Sequence, residues 1–409
     1  MRILLVNQAF YPDVVSSGQH LTDLAGALAE RGHDVTVVTS RRAYDDPNIL
    51  FPKLESWRGI KIHRVFNTGF GKHAKWRRAA DFLTFLISCG VRLILLPKPD
   101  VVVALTSPPL VSVIAAAFTK WRGANFCYWI MDLNPDEAIA AGWLSPDSFA
   151  AKWLERLSRF SLRRAAKIVV LDKFMQQRIL AKDIPAKKIA VIPPWSHDSE
   201  VKFDVAGRAQ FRKSHGLETK FVIMYAGNHS PCHPLDTILS AAKSLAVSEP
   251  EFHFCFVGGG TEHRRVKEFA AEHKLPNILC LSYQPLEQLA GVLSAADLHL
   301  VVMGNPFVGL VHPCKAYNLL RVNAAILYMG PQPSHISEIL DELNGQLPGA
   351  ATPHGDASAA VKSILELKSA VSQAARKDFV PLDGRFSKET LLPQLVAAIE
   401  SVSQNKSSI

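Results

Sequence analysis

Strand-like and helix-like segments alternate along almost the whole chain, and this alternation limits the available folds more than any other feature. Short apolar runs such as Val101–Leu105 (VVVAL) and Ile168–Leu171 (IVVL) suit strands that are buried on both faces of a parallel sheet. The series runs from Arg2 to Ile192 and starts again at Phe221. It includes predicted strands over 60–65, 221–226 and 253–257, and predicted helices over 19–31, 75–95 and 286–295. The sequence therefore predicts an α/β protein with two Rossmann-like, doubly wound parallel-sheet domains.

The chain of 409 residues is long enough for two such domains. We place the boundary in the run Pro193–Asp198, where two prolines and polar residues end the strand pattern. The first domain then spans residues 1–195 and the second spans residues 196–385, and a final helix at about 386–409 is expected to pack back on the first domain. Because ligands of such sheets collect beyond the carboxyl ends of the strands, we expect a site in a cleft that both domains face.

The formal net charge of +9 predicts an anionic partner, which could be nucleic acid, a phosphorylated substrate or an anionic bilayer. Nucleic acid is the least favoured of these, because no helix-turn-helix or basic-aromatic sheet pattern accompanies the charge. The six cysteines show no CxxC or Cys/His spacing, which favours reduced core thiols and predicts no metal site.

The chain opens directly into a strand pattern, MRILLV, without the features of a signal peptide, so we expect a cytoplasmic protein. Its longest apolar stretch, Phe82–Leu96, includes Arg92 and is shorter than the roughly 20 residues that a membrane span needs. We therefore expect a protein that lies on the inner face of the cytoplasmic membrane without crossing it.

A basic segment, residues 72–78 (KHAKWRR), precedes this apolar stretch. Lys75, Arg77 and Arg78 surround Trp76, and an apolar helix face follows them. This combination is typical of a helix that lies on an anionic membrane surface. A buried helix with a basic rim is the alternative.

The loop after the first strand contains the small residues Ser17 and Gly18. We expect the backbone N–H groups of Ser17, Gly18 and Gln19 to face the cleft at the positive end of a helix, where they suit a phosphate or a leaving-group oxygen. An ordinary capped helix start is the alternative. The loop lacks GxGxxG and the chain lacks a Walker A motif, so nicotinamide binding is not favoured.

Two segments of the second domain predict contacts with an anion. Gly258, Gly259 and Gly260 end a strand and open a helix, which permits close approach of a ligand, although such turns also use glycine for geometry alone. In residues 309–318 (GLVHPCKAYN), Lys315 is expected in the first turn of a helix, where the helix dipole disfavours a cation. An anionic ligand would offset this cost, and a solvated lysine is the alternative.

Asp132 closes the run YWIMD, which begins at Tyr128 and reads as a central strand. An acidic residue at the carboxyl end of such a strand commonly faces the ligand. Its alternative role is helix capping, which Asn134 could also supply.

The order of these motifs is similar to that of the family 4 glycosyltransferases of the GT-B type, particularly the bacterial branch that assembles O-antigen, colanic acid and other exopolysaccharides on polyprenyl diphosphate lipids. The resemblance covers nearly the whole chain. It rests on these segments in chain order: Tyr11–Asp13, Ser17–Gly18, Leu24–Val35, Thr106–Pro109, Asp132–Pro135, Arg164–Leu171, Val191–Pro193, Tyr225–Asn228, Leu235–Thr237, Val257–Gly260 and Gly309–Asn318.

The resemblance implies retaining, metal-independent, hexosyltransferase-like transfer from a UDP- or GDP-linked sugar, which is a substrate, so no cofactor is implied. The donor is expected on the second domain and a lipid-linked glycan acceptor on the first. The departing phosphate assists the incoming hydroxyl on the same face, so no protein nucleophile is needed. The positions implied as catalytic are Asp132, Lys315 and Gly18. The positions implied as donor-binding are Ser17, Gly18, Asn228, His229, Gly258, Gly259, Gly260, Gly309, Leu310, Val311, Lys315 and Tyr317.

The chain departs from the family pattern at several positions. Pro306 and Cys314 stand where many members carry the two glutamates of E-x7-E, and Met131 replaces the usual histidine before the aspartate. Asn228 and His229, and later His233, follow Tyr-Ala-Gly where an Arg/Lys pair is expected. These departures leave open a non-catalytic partner that has lost its nucleotide contacts. A nucleotide-sugar epimerase or hydrolase, which shares the fold, is a further alternative.

Overall fold

A computed structural model describes residues 1–13, 15–44, 46–71, 74–196, 201–343, 346–373 and 384–404. Lys72, His73 and the side chain of Lys75, which belong to the predicted membrane segment, lie outside the described part. So do His197 and Asp198 of the predicted domain boundary.

The chain divides into two compact units. Met1–Pro194 and Glu389–Ile409 form the first, and Trp195–Lys388 forms the second. Glu400, near the end of the chain, accepts hydrogen bonds from Arg31 at 2.8 Å and from His33 at 2.9 Å. The last helix therefore packs on the first unit.

The first unit contains one eight-stranded sheet in which the strands follow the order β3-β4-β2-β1-β5-β6-β7-β8. All neighbours are parallel except β3 and β4, which pair antiparallel at the edge. The strands are β1 (Arg2–Val6), β2 (Asp34–Ser40), β3 (Leu54–Trp57), β4 (Ile60–Val65), β5 (Val101–Ala104), β6 (Asn125–Trp129), β7 (Lys167–Val170) and β8 (Ile189–Val191).

The second unit contains a six-stranded parallel sheet in the order β11-β10-β9-β12-β13-β14. The strand order reverses between β9 and β12, as in the dinucleotide-binding Rossmann fold. The strands are β9 (Phe221–Asn228), β10 (Phe252–Gly259), β11 (Ile278–Leu281), β12 (Leu298–Val302), β13 (Ala325–Met329) and β14 (Gly349–Thr352). The predicted class of two doubly wound α/β domains is confirmed.

The α-helices connect the strands and cover both sheets. They are α1 (Ser16–Glu30), α2 (Lys75–Leu95), α3 (Val111–Arg122), α4 (Asp136–Ala140), α5 (Phe149–Arg164), α6 (Lys173–Leu180), α7 (Val205–Ser214), α8 (Asp236–Ser248), α9 (Thr261–Glu272), α10 (Leu289–Ala295), α11 (Lys315–Arg321), α12 (His335–Glu342), α13 (Ala357–Gln373) and α14 (Lys388–Gln404). Within the first unit, α3 packs against both α2 and α5. No helix in the described part of the chain has the length and apolar character that a membrane span requires.

The continuous apolar runs of the sequence are explained by burial on both faces. In β9, Ile223 and Tyr225 pack in the core on one face of the sheet, and Val222 and Met224 pack in the core on the other. Cys255 of β10 is buried in the second of these cores, and burial raises the pKa of its thiol to about 12. It therefore acts as a small apolar core residue.

Candidate functional site

Lys315 lies where the strand order of the second sheet reverses. It is the first residue of α11, and its Nζ lies 3.5 Å from the centre of the Tyr225 ring on β9. Nζ is buried and has no hydrogen-bond partner among the described residues. Burial lowers the pKa of Lys315 to about 7. Since a buried ammonium group without an acceptor is unfavourable, an anion that accepts its hydrogen bonds would bind here with substantial gain.

Two histidines beside Lys315 are neutral at physiological pH. His229 Nδ1 lies 2.8 Å from the Gly227 carbonyl oxygen, and His233 Nδ1 lies 2.6 Å from that of Val302. Burial, and then the charge of Lys315, lowers the pKa of each histidine to about 3. Because a carbonyl can only accept, Nδ1 carries the proton in both rings. The histidines therefore add no positive charge where the resemblance led us to expect an Arg/Lys pair.

The glycines of the second domain allow two strand ends to pack tightly together. Gly258 has φ +138°, and a Cβ there would lie 2.0 Å from the Gly227 carbonyl oxygen. Gly260 has φ +126°, and its Cβ would lie 2.3 Å from the His229 carbonyl oxygen. We predicted close approach of a ligand to this loop, and the structure shows close approach of the protein's own backbone at Gly227 and His229, where β9 ends. A direct contact of Gly258, Gly259 or Gly260 with a ligand stays a prediction.

The segment before α11 is fixed by bonds inside the second unit. The N–H groups of Leu310 and Val311 both donate to the Phe307 carbonyl oxygen, at 2.9 and 3.2 Å, and Gly309 has φ +72°. The buried Tyr317 hydroxyl lies 2.6 Å from His312 Nε2 and 2.7 Å from His335 Nε2. In the described structure Leu310, Val311 and Tyr317 therefore help to hold the segment on which Lys315 lies.

Asp132 follows β6 at the carboxyl edge of the first sheet. Its N–H donates to Thr106 Oγ1 at 3.4 Å, and its side chain is half-buried. Burial raises its pKa to about 8, and the neighbouring Glu137 adds to this shift, so the carboxyl group is protonated at neutral pH. No side chain caps α4, whose N-cap is Pro135, so the capping role considered for Asp132 and Asn134 is absent from this helix.

The expected role of the Gly18 amide is wrong in part. The first helix begins at Ser16 rather than at Gln19, so Gly18 and Gln19 lie inside its first turn. Their N–H groups both donate to the Val15 carbonyl oxygen, at 2.9 and 3.0 Å. These two N–H groups are therefore already hydrogen-bonded at the start of the helix and do not point at a ligand. Ser17 lies half-buried in the same turn.

Two aromatic residues of the second unit, close to these loops, were not among the predicted site residues. The Tyr225 ring supports the ammonium group of Lys315, and its hydroxyl donates to the Asn228 carbonyl oxygen at 2.9 Å. The Tyr283 ring, just beyond β11, is 57% exposed, and a Cβ at Gly259 would lie 3.1 Å from it. An exposed aromatic residue next to the carboxyl end of a strand is the signal that could have marked Tyr283.

The comparisons with known families match both units. Residues 17–195 match the model of the glycosyl transferase 4-like domain, and residues 207–307 match that of the glycosyl transferases group 1. The probable glycosyltransferase WbjE of Pseudomonas aeruginosa is 25% identical over 345 residues, which are 83% of this chain and 84% of that protein. The putative colanic acid biosynthesis glycosyl transferase WcaI of Escherichia coli is 23% identical, over 80% of this chain and 83% of that protein.

Solved structures show the same fold at low identity. Anabaena HepE in complex with UDP and glucose superposes with a TM-score of 0.70 at 15% identity, covering 98% of this chain and all of that one. The two family matches occur in chain order, the first over β2–β8 of the first sheet and the second over β9–β12 of the second. The chain therefore belongs to the family 4 glycosyltransferases of the GT-B type and is a glycosyltransferase enzyme.

Proposed function

We propose that this enzyme transfers a sugar from a UDP- or GDP-linked donor to a polyprenyl-diphosphate-linked glycan during the synthesis of a surface polysaccharide. The relative WcaI is named for colanic acid biosynthesis, and the similar HepE structure contains UDP and glucose. These names support a nucleotide-linked donor and a role in polysaccharide synthesis. The proposal places the protein at the inner face of the cytoplasmic membrane, where a lipid-linked acceptor is accessible.

The observation that carries this proposal is the unpaired, buried ammonium group of Lys315. A nucleoside diphosphate supplies the phosphate oxygens that Nζ lacks among the described residues. Gly227 leaves space next to Nζ, because a Cβ at this position would be in van der Waals contact with it at 3.7 Å. Binding of the diphosphate would raise the pKa of Lys315 again, because an opposite charge favours the protonated form.

The proposed reaction retains the configuration of the sugar and uses no metal. The acceptor oxygen bonds to the anomeric carbon while the bond from that carbon to the diphosphate oxygen breaks, and the acceptor proton passes to the departing phosphate on the same face. Lys315 stabilises the charge that develops on the leaving group. Asp132, protonated at neutral pH, donates a hydrogen bond to the sugar or the acceptor.

Contact with an anionic membrane is supported by α2. Its residues Phe85, Cys89 and Leu93 are buried, yet a second apolar stripe faces solvent. Arg77 lies 5.4 Å from the centre of the Trp76 ring in the first turn. A helix of this kind is amphipathic in the way that membrane-surface helices are. The exposed stripe consists of Trp76, Leu83, Ile87, Val91, Ile94 and Leu95.

Calorimetry with UDP and GDP tests the donor assignment. We expect wild-type protein to bind at least one of them, and Lys315→Ala to bind it roughly 10- to 100-fold more weakly, because a hydrogen bond to a charged group contributes about 1.5–3 kcal/mol. Lys243→Ala, an exposed lysine of α8, is the matched control and should bind like wild type. Equal affinity of the Lys315 variant and wild type would show that the diphosphate does not bind at Lys315. If wild type binds neither nucleotide, the result would favour a non-catalytic protein.

A further inference from the structure

A second cationic site lies in the first unit, on the outer side of α3 and α5. It is an open cavity of about 490 Å³. Its lining includes no carboxylate from the part of the chain that the structure describes. We call it the α3–α5 cavity, and its lining residues are Lys120, Arg156, Arg159, Phe160, Arg163 and Arg164.

Two of these cations already have partners. Arg159 pairs with Glu155 at 2.8 Å and with Asp183 at 3.3 Å. Arg164 donates to the carbonyl oxygens of Thr119 and Ala124, at 3.2 and 3.0 Å. These bonds fix both guanidinium groups, but those of Arg164 go to neutral acceptors and leave its charge uncompensated.

Three cations of the cavity are available to a ligand. The side chains of Lys120, Arg156 and Arg163 have no ion pair and no hydrogen bond with any residue that the structure describes. Guanidinium groups bind two oxygens of a phosphate in a planar, bidentate geometry. Arg156 and Arg163 therefore supply the chemistry of a phosphate site, and Lys120 adds charge.

The helices α2, α3 and α5 carry a large excess of positive charge, which attracts anions. Together α2, α3 and α5 carry eleven lysines and arginines but two carboxylates, Asp81 and Glu155. Asp81 accepts hydrogen bonds from the loop at Phe70 and Gly71, and Glu155 accepts from Arg159 and Lys182. Glu155 and Asp183 offset the charge of Arg159 alone, so the other four cations of the cavity leave its potential positive.

The two helices that carry the cavity residues also carry exposed aromatic side chains, which favour a lipid over a free anion. Trp121 follows Lys120 and is 62% exposed, and Trp153 lies one turn before Arg156. Phe149 at the start of α5 is exposed as well. Tryptophan side chains favour the headgroup level of a bilayer, where they contact both apolar chains and polar groups.

We propose that the α3–α5 cavity binds the phosphate of an anionic phospholipid headgroup, with Arg156 and Arg163 on the phosphate oxygens. This inference rests on the membrane attachment in the proposed function and deepens it. The general attraction between α2 and an anionic membrane is thereby supplemented by a specific contact with one class of lipid, the anionic phospholipids. The bilayer then contacts the first unit at both α2 and α5.

Sedimentation with vesicles tests the site directly. Vesicles that contain phosphatidylglycerol are compared with vesicles of phosphatidylcholine alone, and circular dichroism checks that each variant is folded. We expect the double variant Arg156→Gln, Arg163→Gln to bind the anionic vesicles roughly 30-fold more weakly, since each cation near an anionic surface contributes about a factor of five. The control Lys213→Gln, Lys243→Gln removes the same charge from exposed positions of α7 and α8 and should bind like wild type.

A charge-conserving variant separates a phosphate site from diffuse attraction. Arg156→Lys, Arg163→Lys keeps the net charge but loses bidentate geometry, so we expect binding several-fold weaker than wild type. Wild-type binding by this variant, or equal loss in the control, would overturn the site. Binding of glycerol 3-phosphate or inorganic phosphate as tightly as the vesicles would show a site for free anions and overturn the lipid assignment.

The outcomes also separate this inference from the proposed function. If wild type binds anionic vesicles and the glutamine variant binds them equally, the cavity assignment alone fails. If wild type binds neither vesicle, the membrane attachment fails and the cavity assignment fails with it. Calorimetry with UDP, which needs no vesicles, reports on the donor site in either case.

Discussion

Lys315 is the residue whose protonation should be most visible in solution. Burial lowers its pKa to about 7, whereas lysine ordinarily has a pKa near 10.4. Above pH 7 the free enzyme has lost this proton, but a bound diphosphate favours the charged form, so binding must take up a proton. We therefore expect the affinity for UDP, or for GDP if that is the ligand, to fall by roughly 10- to 100-fold between pH 7 and pH 9, since each pH unit costs up to a factor of ten.

The control for this pH dependence is Lys315→Met, which keeps the length of the side chain without its charge. Its weaker binding should vary little over the same range. Calorimetry at both pH values, in buffers with different ionisation enthalpies, also counts the protons taken up. A wild-type affinity that is the same at pH 7 and pH 9 would show that Lys315 does not contact the diphosphate.

Whereas the pKa of Lys315 is lowered, that of Asp132 is raised from its usual value. Its folded-state pKa of about 8 lies above the usual value near 3.9, so the folded protein keeps this proton between about pH 4 and pH 8 while the unfolded chain loses it. Its contribution to stability therefore falls as the pH rises through that window. If the neutral acid is the working form, Asp132→Asn should keep most of the sugar transfer at pH 7, and Asp132→Ala should lose much more. Measured kcat/KM values that are equally low in both variants would show that an ionised carboxylate is required instead.

At the scale of elements, α2 allows the membrane contact to be tested without changing any charge. Ile87 lies in the middle of the exposed apolar stripe, and burying such a side chain contributes about 1.5–3 kcal/mol. We expect Ile87→Ser to weaken binding to phosphatidylglycerol vesicles by roughly tenfold or more. Val247→Ser, at an exposed valine of α8, is the matched control and should bind as wild type does. Unchanged vesicle binding by the Ile87 variant would exclude this face of α2 as a membrane contact.

Elements with a strong apolar pattern could be predicted from the sequence closely. The predicted ranges Ile60–Val65 and Lys75–Leu95 agree with β4 and α2 at both ends. The strands β3 (LESW) and β14 (GAAT) were not predicted, because neither shows the apolar runs or alternation that mark a strand. The predicted helix Leu286–Ala295 starts as a 3-10 turn over Leu286–Gln288 and continues as α10.

The pairing between β9 and β10 explains why the ends predicted for these two strands were too early. We expected β9 to stop at Ala226 and β10 at Val257, before their glycines. Both strands continue because Gly258 pairs with Gly227, and Gly259 with Asn228. A glycine usually weakens a strand, but here it permits the close packing that the pairing requires.

At the scale of the whole molecule, the two-domain α/β class could be predicted because periodic apolar segments report parallel sheets directly. The chemistry of the candidate site could be predicted less well. Lys315 could be identified by its place at a helix start, but its burial over Tyr225 depends on a strand distant in the sequence. The protonation of Asp132 likewise depends on packing around it, which no local pattern records.

The most direct test of the account is sugar transfer itself. Wild type, Lys315→Ala and Lys243→Ala are each incubated with UDP- and GDP-sugars and a polyprenyl-diphosphate-linked glycan, with EDTA present, and the glycolipid product is analysed by NMR. We expect wild type and the Lys243 variant to form a product whose new linkage retains the anomeric configuration of the donor, and the Lys315 variant to form it far more slowly. Release of nucleotide without glycolipid, or an equal rate in the Lys315 variant, would contradict the account.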